Sequence, residues 1–460
     1  MPARKTLLTP VTATIGVVLL VCLGSLLWLA LVGPGARSKI SQDNIILRLS
    51  GSNTIGAGLA PALAEEFLKQ QGATEVKTLP GDRDDEVRVQ GILPGDRAPK
   101  AIEIHAHGSA TAFEDLANGQ ADIGMASRKI KAEEATQLAS LGDMTSPACE
   151  HILGLDGIAV IVSRKNPVRA LGKDQIAQIF TGAIGNWLQV GGSDGPINLY
   201  ARDDKSGTYD TFKTLVLGNA PLAPSAKRIE DGRGLSDSVA QDPNGIGFIG
   251  LTNIQETRPI AVHEGDAAPL LPTPFTVATE DYALSRRLFL YTPAQPRREL
   301  TRRFVDFALS SMGQNVVAQI GFVGQNVVAA AAAAGSNAVP EKYRRLTSGS
   351  DRLSLDFRFR AGSSQLDNKA VADLTRVVTF VTDLHYSGDN LVLLGFDDGK
   401  EAKANDDLAK ARADAVAQQF EQRGVKAATV VGFGSELAVA SNDTPEGREK
   451  NRRVEIWLRR

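Results

Sequence analysis

Short β-branched apolar runs alternate with helix-length stretches along most of this chain, and the alternation stops once, at the six alanines of residues 329–334, before restarting. Such alternation commits a chain to an α/β architecture with largely parallel sheets, because each crossover helix must pack on the sheet it rejoins. The break divides it into two units. In the first, residues 45–49 read as a strand, 59–68 as a helix, 102–104 as a strand, 113–116 as the start of another helix and 158–162 as a buried strand. Residues 80–100, rich in Gly, Pro, Asp and Arg, read as an exposed excursion. Gly335, Ser336, Asn337 and Pro340 extend the break, so residues 329–350 read as a linker. Beyond it Val371, Leu374, Val378 and Val381 line one helix face, and residues 391–394 read as a strand. Leu408, Ala411, Ala415 and Phe420 mark a second helix stopped by Gly424, and residues 430–433 and 454–458 supply further strands. A compact α/β domain of about 110 residues is expected over 351–460.

A second departure lies near the start. Residues 11–32 carry no charge, and about 22 residues at ~1.5 Å each match a hydrocarbon core of ~30 Å. Arg4 and Lys5 precede the run, so residues 1–10 are expected in the cytoplasm, 11–33 as a transmembrane anchor and the remainder outside. A cleavable signal is the rival, but its apolar part is shorter, about 7–15 residues, and Pro34-Gly35-Ala36 makes a poor cleavage site. Cys22 lacks the small residues expected before a lipidated cysteine. The rest is water-facing: 43% hydrophobic and 23% charged residues are ordinary for globular protein. Lys+Arg 51 against Asp+Glu 53 leaves no basic field for nucleic acid. Two cysteines and five histidines offer neither a disulfide framework nor a metal cluster, and no cofactor is expected.

Three polar clusters stand at strand-to-helix junctions: Ser50-Gly51-Ser52-Asn53-Thr54, His107-Gly108-Ser109-Ala110-Thr111, and residues 202–208. Helix starts offer free N–H groups to anions, although capping by Ser or Thr is the commoner reason for any one such cluster. The third is sharper, because Arg202 can fork two donors onto an oxyanion while Ser206, Gly207 and Thr208 add hydroxyl and amide donors. Asp204 is placed to hold Arg202. Two other patterns carry less. Gly245-x-Gly247-x-x-Gly250 formally matches a dinucleotide fingerprint, but no amphipathic helix follows, so turn and strand chemistry explains it better. Ser206 has no histidine nearby in sequence, leaving only distant His151 or His263 as a base for hydrolysis.

In order and spacing the three clusters resemble the signatures of the phosphate-binding proteins of ABC uptake systems. Residues 121–128, 176–187, 244–248 and 304–322 with Gly313-Gln314 support the resemblance, which covers residues 45–328. It implies a two-lobed, hinged periplasmic-binding-protein fold that closes on its ligand. By position Thr54, Ile55 through its backbone, Ser109, Arg202, Ser206, Gly207 and Thr208 match that family's ligand contacts. One departure stands out. Some members carry, after the serine of the Asp-x-Gly-x-x-Ser stretch, an acidic residue that accepts a hydrogen bond from the protonated phosphate oxygen; this chain has Arg128 there, either a ligand contact or an exposed residue.

Two C-terminal stretches resemble the OmpA-like peptidoglycan-binding domain: Asn405-x-x-Leu408-Ala409-x-x-Arg412-Ala413-x-x-Val416, and Thr444-x-x-Gly447-Arg448-x-x-Asn451-Arg452-Arg453. The resemblance implies that Asp398 and Arg412 clasp the ammonium and carboxylate of diaminopimelate. Since the strand motif reads Gly395-Phe396-Asp397-Asp398, Asp397 is an alternative to Asp398. Arg453 supports the pocket while Arg452 is solvated, or the reverse.

The combined expectation is a single-pass protein of a bacterial inner membrane with both folded domains in the periplasm. Its trap captures phosphate or a related oxyanion for an ABC permease or a sensor, and makes or breaks no bond. The alternative is an envelope scaffold whose binding fold recognises a partner.

Overall fold

A computed structural model describes residues 41–204, 206–331, 339–360, 363–384, 390–399 and 402–460, with the side chains of 402–406 excepted. The expected anchor lies outside the described residues. Among the described residues no helix is long and apolar enough to cross a membrane.

An eleven-stranded sheet runs through the first unit. Its first half holds β1 (Ile45–Gly51), β2 (Thr74–Pro80), β3 (Glu86–Ile92), β4 (Lys100–His105) and β5 (Ile123–Ala126). Its second half holds β8 (Asn198–Arg202), β9 (Lys227–Ile229), β10 (Gly245–Gly250) and β11 (Arg258–Pro259). Two long strands, β6 (Glu150–Val162) and β13 (Ser285–Tyr291), join the halves, in the order β2-β3-β4-β1-β5-β13-β6-β10-β8-β9 with β11 beside β6. A small ribbon pairs β7 (Ala170–Gly172) with β12 (Ala261–His263).

Each half packs its own core, so the unit has two lobes. Leu47, Leu49, Leu63, Phe67, Ile104 and Phe304 fill the first; Ile158, Val160, Phe180, Phe212 and Phe248 fill the second. The strands that cross between them change core within two to four residues. On β6, Leu153 belongs to the first core and Leu155 to the second; on the β13 side, Leu284 packs in the second and Leu288 in the first. These crossings run in opposite directions, which makes β13 antiparallel to both β5 and β6. The sheet is therefore mixed rather than largely parallel, with parallel pairing confined to β1 with β4 and β5, and to β8 with β9 and β10.

Two further expectations change. Residues 80–100 are not simply an excursion: β3 lies between β2 and β4, with Arg88 buried against Glu103 at 3.0 Å. The expected linker also contributes structure. Ala329–Ala331 forms β14, antiparallel to β15 (Ser350–Arg358), and the helix Glu341–Thr347 brings Tyr343 against the rings of Phe396, Phe433 and Trp457. Alanine is small enough for a short edge strand yet carries no apolar pattern to announce one. The second sheet runs β14-β15-β18-β16-β17, adding β16 (Leu391–Gly395), β17 (Thr429–Gly432) and β18 (Arg453–Arg459). Helices Asn368–Asp383 and Ala402–Glu421 cover one face through Leu374, Val377, Ala413 and Val416.

Candidate functional site

The three polar clusters do begin helices: Asn53–Gly56 after β1, Ser109–Ala117 after β4, and Gly207–Phe212 after β8. Gly51 makes the first turn possible; its φ is 135°, and a Cβ there would lie 2.1 Å from the Met125 carbonyl oxygen. The first two helices belong to one lobe and the third to the other. They meet at Gly207, where a Cβ would fall 2.7 Å from Thr54 Cα, and Thr54 Oγ1 donates to the Gly207 carbonyl at 3.3 Å. A side chain at 207 would hold the lobes apart.

Hydroxyls from both lobes converge around this contact. Ser109 Oγ and Ser127 Oγ are 3.1 Å apart, the Ser127 amide donates to Ser109 Oγ at 3.1 Å, and Ser127 Oγ donates to Asp210 at 3.5 Å. Between them stands Arg286, on the hinge strand β13. Its Nη2 donates to Thr54 Oγ1 at 2.9 Å and to Thr211 Oγ1, while Nε reaches Asp156 at 3.4 Å and Nη2 reaches Asp210 at 3.5 Å. Burial pulls the Arg286 pKa down, and Asp156 and Asp210 oppose it. Charge-assisted N–H···O contacts ordinarily close to about 2.7–2.9 Å, so this buried cation is held loosely by its carboxylates. A closer oxyanion would compete well for it.

Arg202 ends β8. Its nearest carboxylate is Asp203 at 3.9 Å, and its buried Nε has no hydrogen-bond partner among the described residues. Asp204, expected to hold it, pairs with Arg228 instead. Ser206 caps its helix, Oγ accepting from the Tyr209 amide at 3.5 Å. Thr208 is the second residue of that helix and is partly buried. The Ile55 side chain is fully buried in the core, which leaves only its backbone for a ligand. Neither of the two candidate histidines is engaged with Ser206: His151 bonds Thr292 at 3.1 Å and is held neutral by burial, its pKa down to about 4, while His263 bonds the Gly265 carbonyl at 2.8 Å.

Arg128 makes its contacts locally. Its two terminal nitrogens are forked onto Glu134 at 2.8 and 2.6 Å, and the guanidinium lies 5.3 Å from the centre of the Phe113 ring. Burial raises the Glu134 pKa, but the hydrogen bonds from Arg128 and the Lys131 amide, with the charges of both residues, together outweigh it and hold the carboxyl below its ordinary value. The fork is spent on a local partner.

In the C-terminal domain the pairing is exchanged. Arg412, 1% exposed, contacts Asp397 rather than Asp398, donates from Nε to the Ser363 carbonyl at 3.3 Å and lies over the Phe359 ring. Asp398 is held by Arg452 at 2.8 Å. Burial and the neighbouring Asp398 push Asp397 up; Asp398 goes down, since the bonds from Asp397 and Arg452 outweigh its burial. Arg453 is the interior member of its pair, bonded to Glu455 at 2.9 Å and 3.9 Å from the centre of the Phe396 ring. Asn405 lies on the helix Ala402–Glu421, and its side chain is among those not described.

Residues 36–312 match the PBP superfamily domain and residues 358–452 match the OmpA family. Protein SphX of Synechococcus elongatus is 30% identical over 297 residues, covering 62% of this chain and 79% of that protein. The phosphate-binding protein PstS of Pseudomonas aeruginosa is 30% identical over 245 residues, covering 48% of this chain and 73% of its own. The chain is a PstS-like member of the PBP superfamily joined to an OmpA-family domain. An ABC-type phosphate transport receptor from Vibrio cholerae superposes with 25% identity and a TM-score of 0.47, covering 60% of this chain and 99% of that one.

The sequence pattern singled out none of Arg286, Asp156, Asp210 and Thr211 in this PstS-like cleft. One signal was available for the first: Arg286 and Arg287 interrupt an otherwise apolar strand, and a charge in a strand buried throughout needs a partner.

Proposed function

We propose that the chain captures phosphate, or a similar tetrahedral oxyanion, in the cleft between its lobes and contacts peptidoglycan through its C-terminal domain. The observation that carries this reading is the convergence on Arg286 of hydroxyls from both lobes, together with an Arg202 at the end of β8 whose Nε lacks a partner among the described residues. A ligand gripped by both lobes stabilises the closed state by its differential affinity for it. No bond is made or broken. Asp210, half exposed and 3.5 Å from Ser127 Oγ, takes the acceptor role that Arg128 cannot fill: its carboxylate accepts a hydrogen bond from a protonated phosphate oxygen and repels a fully ionised sulfate.

The PstS relatives support phosphate as the ligand, and the OmpA-family match supports a peptidoglycan contact through Arg412 and its aspartates. On this reading the protein is held at the periplasmic face of an inner membrane by residues 11–33 and hands its ligand to an ABC permease or a sensor. Tethering would keep it at high effective concentration beside that partner. Calorimetric titration of the full-length chain with phosphate and with sulfate tests the trap. Binding of phosphate in preference to sulfate is expected, and binding of neither would remove the reading.

A further inference from the structure

The C-terminal domain does not stand clear of the trap. On the first lobe Lys129 pairs with Glu449, and Asn368 donates to Glu150 at 2.9 Å. On the second, Arg352 reaches Asp281 at 2.8 Å and Arg358 donates to the Thr279 carbonyl at 2.7 Å. At the hinge Arg287 pairs with Asp367 at 2.7 Å. The domain thus spans both lobes, and a half-open cavity of about 560 Å³ lies between it and them. Ser127 and Arg286 form the wall it shares with the anion cleft.

The lining of this cavity holds more cations than anions, with Arg128 and Arg286 met from behind by Glu134, Asp156 and Asp210. Its walls carry seven Lys and Arg side chains against four glutamates. Several pair off, Lys129 with Glu449, Lys173 with Glu264 and Arg287 with Glu280. Two basic groups brought by the C-terminal domain do less well. Lys450 donates to the carbonyls of Tyr282 and Ala283 at 2.9 and 3.3 Å and to Ser285 Oγ at 3.4 Å, and no carboxylate among the described residues lies within ion-pair distance of it. Arg358 is 1% exposed and its Nη2 is shared between Thr279 and Asp281, but its buried Nε and Nη1 have no hydrogen-bond partner among the described residues. Leaving guanidinium donors buried and unmatched is costly, and a polar chamber of this size admits a ligand that would match them. The imbalance is felt at Lys450: burial, with Lys173 and Arg358 adding to it and Glu264 opposing, brings its pKa down to about 8.

We propose that the chamber is a second anion site, in which Arg358 and Lys450 of the C-terminal domain bind a small multivalent oxyanion against the lobes. The site borders the cleft of Arg202 and shares Ser127 and Arg286 with it, but its own donors, Arg358 and Lys450, come from the C-terminal domain. An anion there neutralises the excess charge at the seam and favours the docked arrangement of the two domains. Its occupancy therefore links the wall-binding domain to the trap.

Calorimetry on the full-length chain tests this, with inorganic phosphate and citrate as separate probes. In the Arg202→Ala protein the cleft is disabled, and at least one probe is expected still to bind. Adding Lys450→Gln is expected to weaken that remaining site about tenfold or more, whereas Lys450→Gln alone leaves the cleft occupied. Which probe binds tells a phosphate from a carboxylate ligand. Labelling of Lys450 with acetic anhydride near pH 8, read by mass spectrometry, gives a second measurement on the unaltered chain. The bound anion is expected to slow acetylation of Lys450 and to leave exposed Lys77 unchanged. No binding of either probe to Arg202→Ala at millimolar concentration, binding indifferent to Lys450→Gln, or unprotected Lys450 would each overturn the proposal.

Discussion

The cleft between the lobes and the clasp of the C-terminal domain both rest on arginine, and they hold it in opposite ways. In the cleft, Arg286 lies 3.4 and 3.5 Å from its carboxylates and Arg202 lies 3.9 Å from its own. In the clasp, Arg412 is in direct contact with Asp397 and almost wholly buried. The first arrangement leaves donors to be claimed by an incoming anion. The second is already neutralised, so on the proposed reading a zwitterionic head group would enter by separating an ion pair, its carboxylate replacing Asp397 on the guanidinium while its ammonium takes up the aspartates. Loose pairing favours capture, and tight pairing favours exchange with a ligand of matching charge.

The largest expected effects come from removing a buried cation. Arg412→Ala and Arg286→Ala each strand a buried aspartate, and each should lower unfolding stability by about 3–5 kcal/mol in urea titrations. Arg412→Ala should also abolish retention on peptidoglycan sacculi; retention equal to wild type would refute the clasp. Arg202→Ala should leave the urea midpoint almost unchanged and weaken phosphate binding by about 3 kcal/mol, over a hundredfold in Kd. A larger stability loss than binding loss would reverse the contrast between a loose cleft and a tight clasp. Asp210→Asn is a smaller change, about 1–2 kcal/mol in the preference for phosphate over sulfate, read by competition between the two anions. An unaltered ratio would take the acceptor role from Asp210. Smallest is Glu134→Gln, which frees Arg128 at the margin of the cleft; a change in phosphate affinity of under about 1 kcal/mol is expected.

How far these sites were legible from sequence differs residue by residue. The clusters at Thr54, Ser109 and Ser206 could be placed at strand ends, because the switch from alternation to helical period is local and Ser and Thr are helix-start residues. Arg286 could not be joined to Thr54 and Thr211, which are distant in the chain and meet only when β13 crosses the hinge. Arg128 looked free because its partner, Glu134, opens the next short helix. The alanine run looked like a linker because its pairing with β15 is made by backbone groups, which leave no side-chain signature.

The amino-acid pattern by itself determined that the chain is α/β, that it breaks near residue 329, and that anion-binding residue types stand at strand ends. Those properties follow from local periodicity and helix-start chemistry, which act over a few residues. Only the tertiary structure decided the partners: Asp397 rather than Asp398 for Arg412, Arg228 rather than Arg202 for Asp204, and a hinge arginine at the centre of the cleft. Ion pairing depends on distance through space and on burial, and both are set when the lobes and the C-terminal domain pack together.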